Sequence, residues 1–201
     1  MKEGISMNQT IATRANALAL LQEFNRNEAL IRHALAVEAV MRHFAALSGE
    51  EPESWGIIGL IHDLDYEMFP EQHCLKVREI LSERGWPEEV SRAVQSHGYG
   101  LCSDVEPVSR MEKVLYTIDE LTGLIAATAL VRPSKSILDL NTKSVKKKWK
   151  DKAFAAGVNR EVIETGAGWL GMDLDQVITE TIAGMQPVAE AIGLKGNVGE
   201  Q

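Results

Sequence analysis

The sequence has few cysteines and few of the alternating patterns that are typical of β-strands. Cysteine occurs only twice in 201 residues, at Cys74 and Cys102, and the two lie far apart along the chain. Such usage suits a reducing compartment and predicts no disulfide framework, so we expect a cytoplasmic protein. Proline occurs six times, and runs that alternate aromatic or β-branched residues with polar ones are scarce. The sequence therefore argues against a β-sheet and predicts an all-α fold.

Long apolar runs and a basic charge balance are also missing. No segment approaches the roughly 20 consecutive apolar residues needed to span a bilayer. The N-terminus, with Lys2 and Glu3, lacks a signal-peptide core, so we expect no membrane partner. The formal net charge of −8 disfavours broad binding to nucleic acid or to an anionic membrane surface. A small ligand fits this charge better, and both a monomer and a homo-oligomer are compatible with it.

Apolar residues recur at helical spacing along most of the chain. Stripes at i, i+3, i+4 and i+7 predict a series of helices, of which the last two span about 161–170 and 174–192. The length of 201 residues suffices for a full core, so we expect a single domain over residues 1–201. Residues 1–9 are polar and predicted to be frayed, and residues 193–201 are predicted to be disordered.

An apolar segment that ends in a histidine and two acids, Gly59-Leu60-Ile61-His62-Asp63-Leu64-Asp65, lies between these helices. The residues before His62 leave hardly any polar face, which is typical of a helix buried on most sides. His62 and Asp63 are therefore expected inside the protein. A buried carboxylate beside a buried imidazole is costly unless the charge is paired or bound to a cation. The pair indicates a metal site, with a chance dipeptide as the alternative.

Other candidate ligands lie at inward-facing or helix-terminal positions. His33 belongs to the apolar stripe of its helix. His73 is predicted in the first turn of one helix and His97 in the last turn of the next. Asp119 shares a helix face with small and apolar residues, so we expect it to point inwards. A solvated Asp119-Glu120 pair is the alternative interpretation.

The order of these residues along the chain resembles the HD superfamily of metal-dependent hydrolases. Members carry a histidine, a His-Asp pair and a distant aspartate on separate helices of an all-α bundle. The resemblance implies one metal ion bound by four residues: His33, His62, Asp63 and Asp119. Some members, such as HD-GYP proteins, bind two metals. By that pattern His73 and His97 would hold a second ion, with Asp63 bridging the two.

Blocks further along resemble a bacterial family of stand-alone HD-domain proteins of about this length. The blocks are Asp119-Glu120-Leu121-Thr122-Gly123-Leu124, Val131-Arg132-Pro133, Lys143-Ser144-Val145-Lys146-Lys147-Lys148 and Lys152-Ala153-Phe154-Ala155-Ala156-Gly157-Val158. The resemblance implies an HD-type helical bundle with a metal-binding core at about 25–132 and a C-terminal helical extension over 133–192. The lysine-rich run at 143–152 is a solvated helix face, or a surface that faces phosphate or nucleic acid. On the resemblance it belongs to the fold, as a wall of the site.

The implied ligand set has a definite chemistry. Imidazoles with carboxylates suit one or two ions of Mn, Fe, Ni, Co or Zn, with Mg also compatible, and leave room for water. Water acidified to a pKa of about 7 is a nucleophile at neutral pH, and two ions about 3.5–4 Å apart clamp the oxygens of a phosphoryl group. We therefore expect a metal-dependent phosphohydrolase acting on a nucleotide or another small phosphate ester.

Several residues near the motif are candidates for the reaction itself. Asp63 is expected to be essential, and Asp65 or Glu67 in the acidic loop after the pair is a candidate general base or acid. Ordinary loop acids are the alternative. Three basic side chains are candidates for binding the substrate phosphate, with a plain surface role as the alternative: Arg32, Lys76 and Lys113.

Two other classes of function stay open at this point. Similar histidine and aspartate sets on HD-like helices hold a di-iron centre in inositol oxygenase and related enzymes, so the resemblance also allows an oxidative reaction. A non-catalytic module for sensing or interaction, in which the metal is structural, is the third interpretation. The acidic open loop over residues 65–71 argues mildly against that module.

Overall fold

Helices make up the regular structure of the described chain. A computed structural model describes residues 12–198, which contain nine α-helices and no β-strand. The helices are α1 (Arg14–Phe24), α2 (Glu28–Leu47), α3 (Pro52–Leu60), α4 (Lys76–Glu83), α5 (Glu88–Gln95), α6 (Arg110–Leu130), α7 (Thr142–Trp149), α8 (Arg160–Leu170) and α9 (Leu174–Met185). The all-α prediction is confirmed, whereas the predicted fraying of residues 1–9 concerns residues outside those described. Within residues 12–198 no helix combines the length and the apolarity needed to cross a bilayer.

Capping residues set the starts of the helices that carry the site. The Asn27 side chain accepts a hydrogen bond from the Ala29 amide at the start of α2 (2.8 Å). Pro52 occupies the first turn of α3, where its missing N–H removes no helical hydrogen bond. At the start of α6, Ser109 and Glu112 form a capping box that satisfies two backbone amides. Local sequence therefore fixes where each of these helices begins.

Helices α2 and α6 form the centre of the bundle. Helix α2 packs against α3, α6 and α9, and α6 packs in addition against α8. Large apolar side chains from these helices are almost fully buried, including Phe44, Ile57, Leu115 and Ile118. Because α2, α6 and the end of α3 meet in one core, polar side chains that point inwards from them come close together.

The C-terminal helices pack onto this core. Helix α8 lies against α6, and α9 lies against α2. The single domain over residues 1–201, with its core at about 25–132 and its extension at 133–192, stays a prediction. The predicted disorder is wrong for residues 193–198. Leu194 is buried, and its carbonyl oxygen accepts a hydrogen bond from the Ile137 amide (2.9 Å).

The two cysteines form a disulfide between Cys74 and Cys102, so the prediction of no disulfide is wrong. They are 28 residues apart in sequence. Helices α4 and α5 lie between them and pack against each other, so the chain after α5 comes back towards Cys74. The segment before α4 therefore meets the loop after α5. Sequence separation alone gave no sign of this return.

Candidate metal centre

Four side chains from three parts of the chain converge inside the bundle. His33 lies on α2, His62 and Asp63 follow the end of α3, and Asp119 lies on α6. Asp119 Oδ1 is 2.8 Å from His33 Nε2 and 3.2 Å from His62 Nε2. Asp63 Oδ2 is 3.4 Å from His62 Nε2 and 3.9 Å from His33 Nε2. His33, His62 and Asp119 thus form a group of possible metal ligands, with Asp63 beside both histidines, and we call these four residues the first cluster.

A second cluster adjoins the first on the other side of Asp63. His73 lies in a turn before α4 rather than in a helix, and His97 lies in a single 3₁₀ turn after α5. Their Nε2 atoms are 3.3 Å apart. Each is 3.5 Å from Asp63 Oδ1. The two oxygens of Asp63 therefore face different pairs of histidines, which is the arrangement of a bridging carboxylate.

Hydrogen bonds at Nδ1 orient three of these histidines. His62 Nδ1 donates to the Gly59 carbonyl (2.8 Å) and His97 Nδ1 to the Val94 carbonyl (2.6 Å). His73 Nδ1 donates to Asp65 Oδ1 (2.8 Å). Because Nδ1 carries the proton, the Nε2 lone pair of each neutral ring points into its cluster. Bonds of this kind fix the tautomer and the ring orientation of metal-binding histidines.

The fit of the first cluster to a cation shows most clearly at His62. Its side chain is fully buried, and its Nε2 atom makes no proper hydrogen bond with any described residue although two carboxylates lie close. A buried nitrogen without a partner is costly. Imidazole nitrogens and carboxylate oxygens are good ligands of Mn, Fe, Co, Ni and Zn. An ion there would satisfy the nitrogen and balance the carboxylates.

Charges in the clusters shift one another's pKa values. Burial by itself lowers the pKa of His62, but the carboxylates of Asp63 and Asp119 outweigh burial and raise that pKa well above its usual value. Burial by itself raises the pKa of Asp63, but His62 and His97 outweigh it and hold that pKa well below its usual value. The metal-free site thus favours protonated imidazoles beside ionised carboxylates, and protons compete with a cation for the same atoms.

Metal affinity is therefore expected to rise with pH. Metal binding needs neutral imidazoles, and the pKa of His62 is raised in the metal-free protein, so the gain continues above the ordinary histidine pKa of about 6.5. For each proton released the affinity rises by about tenfold per pH unit until His62 is deprotonated. Competition with a chromophoric chelator between about pH 6 and 9 measures this. A pH-independent affinity would contradict it, and His43→Gln, remote from both clusters, should leave the slope unchanged.

Asp65 and Glu67, the two candidates for general base or acid, both accept hydrogen bonds from other residues of the fold. Asp65 is fully buried, and its oxygens accept hydrogen bonds from His73 Nδ1 and from the Val77 amide (both 2.8 Å). Glu67 Oε2 accepts from the amides of Arg26 and Asn27 just before α2 (2.8 and 2.9 Å). Because these contacts engage both carboxylates, they do not support catalysis by either residue. Asp65 instead orients a histidine, and Glu67 holds the start of α2.

None of the described ion pairs joins the three predicted phosphate-binding residues to the clusters, and their role stays a prediction. Arg32 pairs with Glu28 on its own helix (2.8 Å), and Lys76 pairs with Glu79. Lys113 precedes Asp119 by six residues on α6, which rotates it by about 120° around the helix axis. Sequence proximity to a ligand is a poor guide here because neighbouring residues of a helix point in different directions.

The lysine-rich run lies largely on one helix of the C-terminal extension. It forms α7, where Val145 is fully buried and Lys146 pairs with Asp175 on α9 (2.6 Å). The open cavity beside α7 is lined by Asn141, Thr142, Lys143, Ser144, Lys146, Lys147, Lys150 and Asp175, none of which belongs to either cluster. None of these contacts joins the run to either cluster, so its role as a wall of the site stays a prediction.

One further acidic residue near the site was not selected from the sequence. Glu120 is half-buried, and burial raises the pKa of its carboxyl despite a hydrogen bond that Oε2 accepts from the Asn159 amide (3.0 Å). That bond ties α6 to the start of α8 next to Asp119. The backbone carbonyls of Gly59 and Val94 were also missed, since no sequence signal marks a carbonyl that orients a histidine.

The fold and the site together define an all-α protein with a candidate metal centre. The centre brings together four imidazoles and two carboxylates. Residues 30–124 match the family model of the HD domain. This match shows that the chain contains an HD domain, as the order of its histidines and aspartates predicts. HD domains bind divalent metals and are generally metal-dependent phosphohydrolases. Comparisons with curated proteins and with solved structures gave no match.

Proposed function

We propose that this protein is a metal-dependent phosphohydrolase that acts on a nucleotide or another small phosphate ester. The observation that carries the proposal is the placement of Asp63. Its Oδ2 faces His62 at 3.4 Å, and its Oδ1 faces His73 and His97 at 3.5 Å each. One carboxylate between two sets of imidazoles suits a pair of divalent ions, the arrangement that many phosphoryl-transfer enzymes use.

Each cluster would hold one ion. The first would be held by His33, His62, Asp63 Oδ2 and Asp119, and the second by His73, His97 and Asp63 Oδ1. When bound, such ions lower the pKa of water to about 7 and stabilise negative charge on phosphoryl oxygens. The chain itself fixes the ligands, through the Nδ1 bonds of three histidines. His62 is fully buried, while the side chains of His33, Asp63 and Asp119 stay 23%, 16% and 19% exposed, so a small substrate has access from their side.

An exposed aromatic ring beside the second cluster supports a nucleotide as the substrate. The Tyr66 ring meets the His73 ring edge-on, with centroids 5.0 Å apart, and Tyr66 remains 46% exposed. An exposed aromatic face favours stacking with a planar base. The substrate class is intracellular, so we also propose a cytoplasmic location. The bacterial origin rests on the sequence resemblance alone.

The experiment is to measure phosphate release by protein of known metal content. Protein purified without chelator is analysed for metals, stripped, reloaded with Mn, Fe, Co, Ni, Zn or Mg, and incubated with a panel of nucleotides and small phosphate esters. We expect phosphate release with at least one metal, and loss of that release in Asp119→Asn. Metal-loaded protein that releases no phosphate from any compound would overturn the proposal. Oxygen consumption by the iron form would favour the oxidative alternative instead.

Asp65 is expected to act through His73. Asp65→Asn weakens the acceptor of the His73 Nδ1 proton, and losing such an outer partner typically lowers metal affinity by about 10–100-fold. The effect should fall on the second ion, because Asp65 contacts no ligand of the first cluster among the described hydrogen bonds. Stepwise metal titration measures both affinities. Glu67→Gln is the matched control and should leave both unchanged, whereas an equal effect in the two variants would contradict a positioning role for Asp65.

A further inference from the structure

The disulfide lies against the second cluster. Cys74 directly follows His73, and Cys102 lies five residues after His97 in the loop that follows α5. The Cys74 side chain is fully buried, and its Sγ is 3.9 Å from His97 Nε2. The bond therefore joins the two segments that carry the histidines of the second cluster.

The backbone around the sulfurs is adapted to them. Cys74 has a φ of +66°, a left-handed conformation that residues other than glycine rarely adopt. Gly98, next to His97, has no side chain, and a Cβ atom there would overlap both Sγ atoms. The chain thus holds Cys74 in an unfavourable conformation that turns its sulfur towards His97. Such conformations persist where the surrounding structure requires them, often at functional sites.

The ligand atoms have the spacing of a thiolate-containing metal site. Tetrahedral Zn²⁺ has bonds of about 2.0 Å to nitrogen and about 2.3 Å to sulfur, which separate two nitrogens by about 3.3 Å and a nitrogen from a sulfur by about 3.5 Å. The corresponding distances here are 3.3 Å between His73 and His97 and 3.9 Å between Cys74 and His97. Among the described residues His73, Cys74 and His97 form a group whose ligand atoms lie within 4.8 Å of one another. Asp63 Oδ1, 3.5 Å from both imidazoles, would be the fourth ligand.

We propose that the Cys74–Cys102 disulfide is a reversible switch, and that its reduction creates a thiolate metal site of Cys74, His73, His97 and Asp63. The inference rests on the second metal position proposed above. A cellular dithiol supplies two electrons and two protons: the S–S bond breaks, both cysteines become thiols, and the dithiol becomes a disulfide. When a soft divalent ion such as Zn²⁺ binds, the Cys74 thiol releases its proton to solvent and the thiolate becomes a ligand.

The switch changes the second position from open to closed. With the disulfide formed, only His73, His97 and Asp63 contribute ligands, and a fourth coordination position remains for water or substrate. With the disulfide reduced, Cys74 occupies that position, and four protein ligands make a closed site, as in structural zinc sites. Reduction therefore strengthens metal binding at the second position and lowers hydrolysis there.

The test uses Co²⁺, because a thiolate ligand gives cobalt a charge-transfer band in the near ultraviolet that nitrogen and oxygen ligands do not give. Oxidised protein, and protein reduced with a dithiol that is then removed under nitrogen, are each titrated with Co²⁺. We expect the band only in the reduced protein, for one ion per chain. Cys102→Ser should show it without reduction because Cys74 is then always free, and Cys74→Ser should never show it.

Absence of the band from reduced protein and from Cys102→Ser, with Co²⁺ bound, would overturn the proposal. Reduced wild-type protein carries no substitution, so the test does not depend on the folding of a variant. A band that survives in Cys74→Ser would also overturn it, by placing the thiolate elsewhere. The readout is independent of hydrolysis: a failed substrate panel with the band present would count against the proposed reaction and not against this site.

Discussion

Replacing Asp63 by asparagine is expected to reduce hydrolysis by at least about 10³-fold, which corresponds to about 4 kcal/mol of lost transition-state stabilisation. Among residues 12–198, Asp63 is the one carboxylate whose two oxygens face different clusters, at 3.4 Å from His62 and 3.5 Å from His73 and His97. The asparagine side chain keeps the shape but has one neutral oxygen and one amide nitrogen, which does not ligate a cation. Both metal positions should therefore weaken together.

The measurement is phosphate release and metal content of the same reloaded sample. Asp175→Asn is the matched control, because Asp175 is exposed and pairs with Lys146 at the surface; it should keep full activity and metal content. Circular dichroism of both variants separates loss of ligands from loss of fold. Retention of two ions and of more than about a tenth of the activity in Asp63→Asn would show that Asp63 does not bridge the clusters.

The predicted convergence of four residues illustrates what periodicity conveys. The apolar stripe of its helix predicts that His33 points inwards, and the small and apolar residues on its face predict the same for Asp119. The structure brings them to 2.8 Å. Helical periodicity fixes the direction in which a side chain points, and α2 and α6 pack in one core. Polar residues that point inwards from two such helices therefore lie close to each other.

The contacts of the loops were harder to predict. Asp65 and Glu67 look alike in the sequence, as acids after a His-Asp pair. In the structure Asp65 accepts a hydrogen bond from the half-buried His73, whereas Glu67 accepts hydrogen bonds from the backbone just before α2. Likewise, the pairing of Cys74 with Cys102 depends on how α4 returns on α5. Loops have no fixed period, so their contacts follow from tertiary packing and turn conformation, such as the left-handed backbone at Cys74.

Gly59→Ala is expected to destabilise the fold by about 1–3 kcal/mol, the usual cost of overpacking. Gly59 lies where α3 crosses α2, and a Cβ atom there would be 3.1 Å from the Val37 carbonyl oxygen and 3.2 Å from Glu38 Cα. Both are backbone atoms of α2, so no side-chain rotation relieves the contact and the helices must separate. For a chain of this size the melting temperature should fall by about 2–10 °C.

Gly168→Ala is the matched control, with the opposite expected sign. Gly168 is exposed in α8, and a Cβ atom there meets nothing within 4 Å. Alanine should therefore stabilise that helix by about 0.5–1 kcal/mol. Thermal unfolding of the metal-free proteins measures both changes. Equal shifts in the two variants would show that α2 and α3 are not in tight contact at Gly59.

Gly59→Ala should also affect metal binding at the two clusters differently. Gly59 also provides the carbonyl that orients His62, while His33 lies on the opposing helix α2. Moving α3 away from α2 therefore displaces two ligands of the first cluster relative to each other, and ligand geometry must hold within about 0.5 Å for tight binding. His73 and His97 lie outside both helices. Gly59→Ala should accordingly weaken the first ion more than the second in a stepwise titration, the reverse of the order expected for Asp65→Asn.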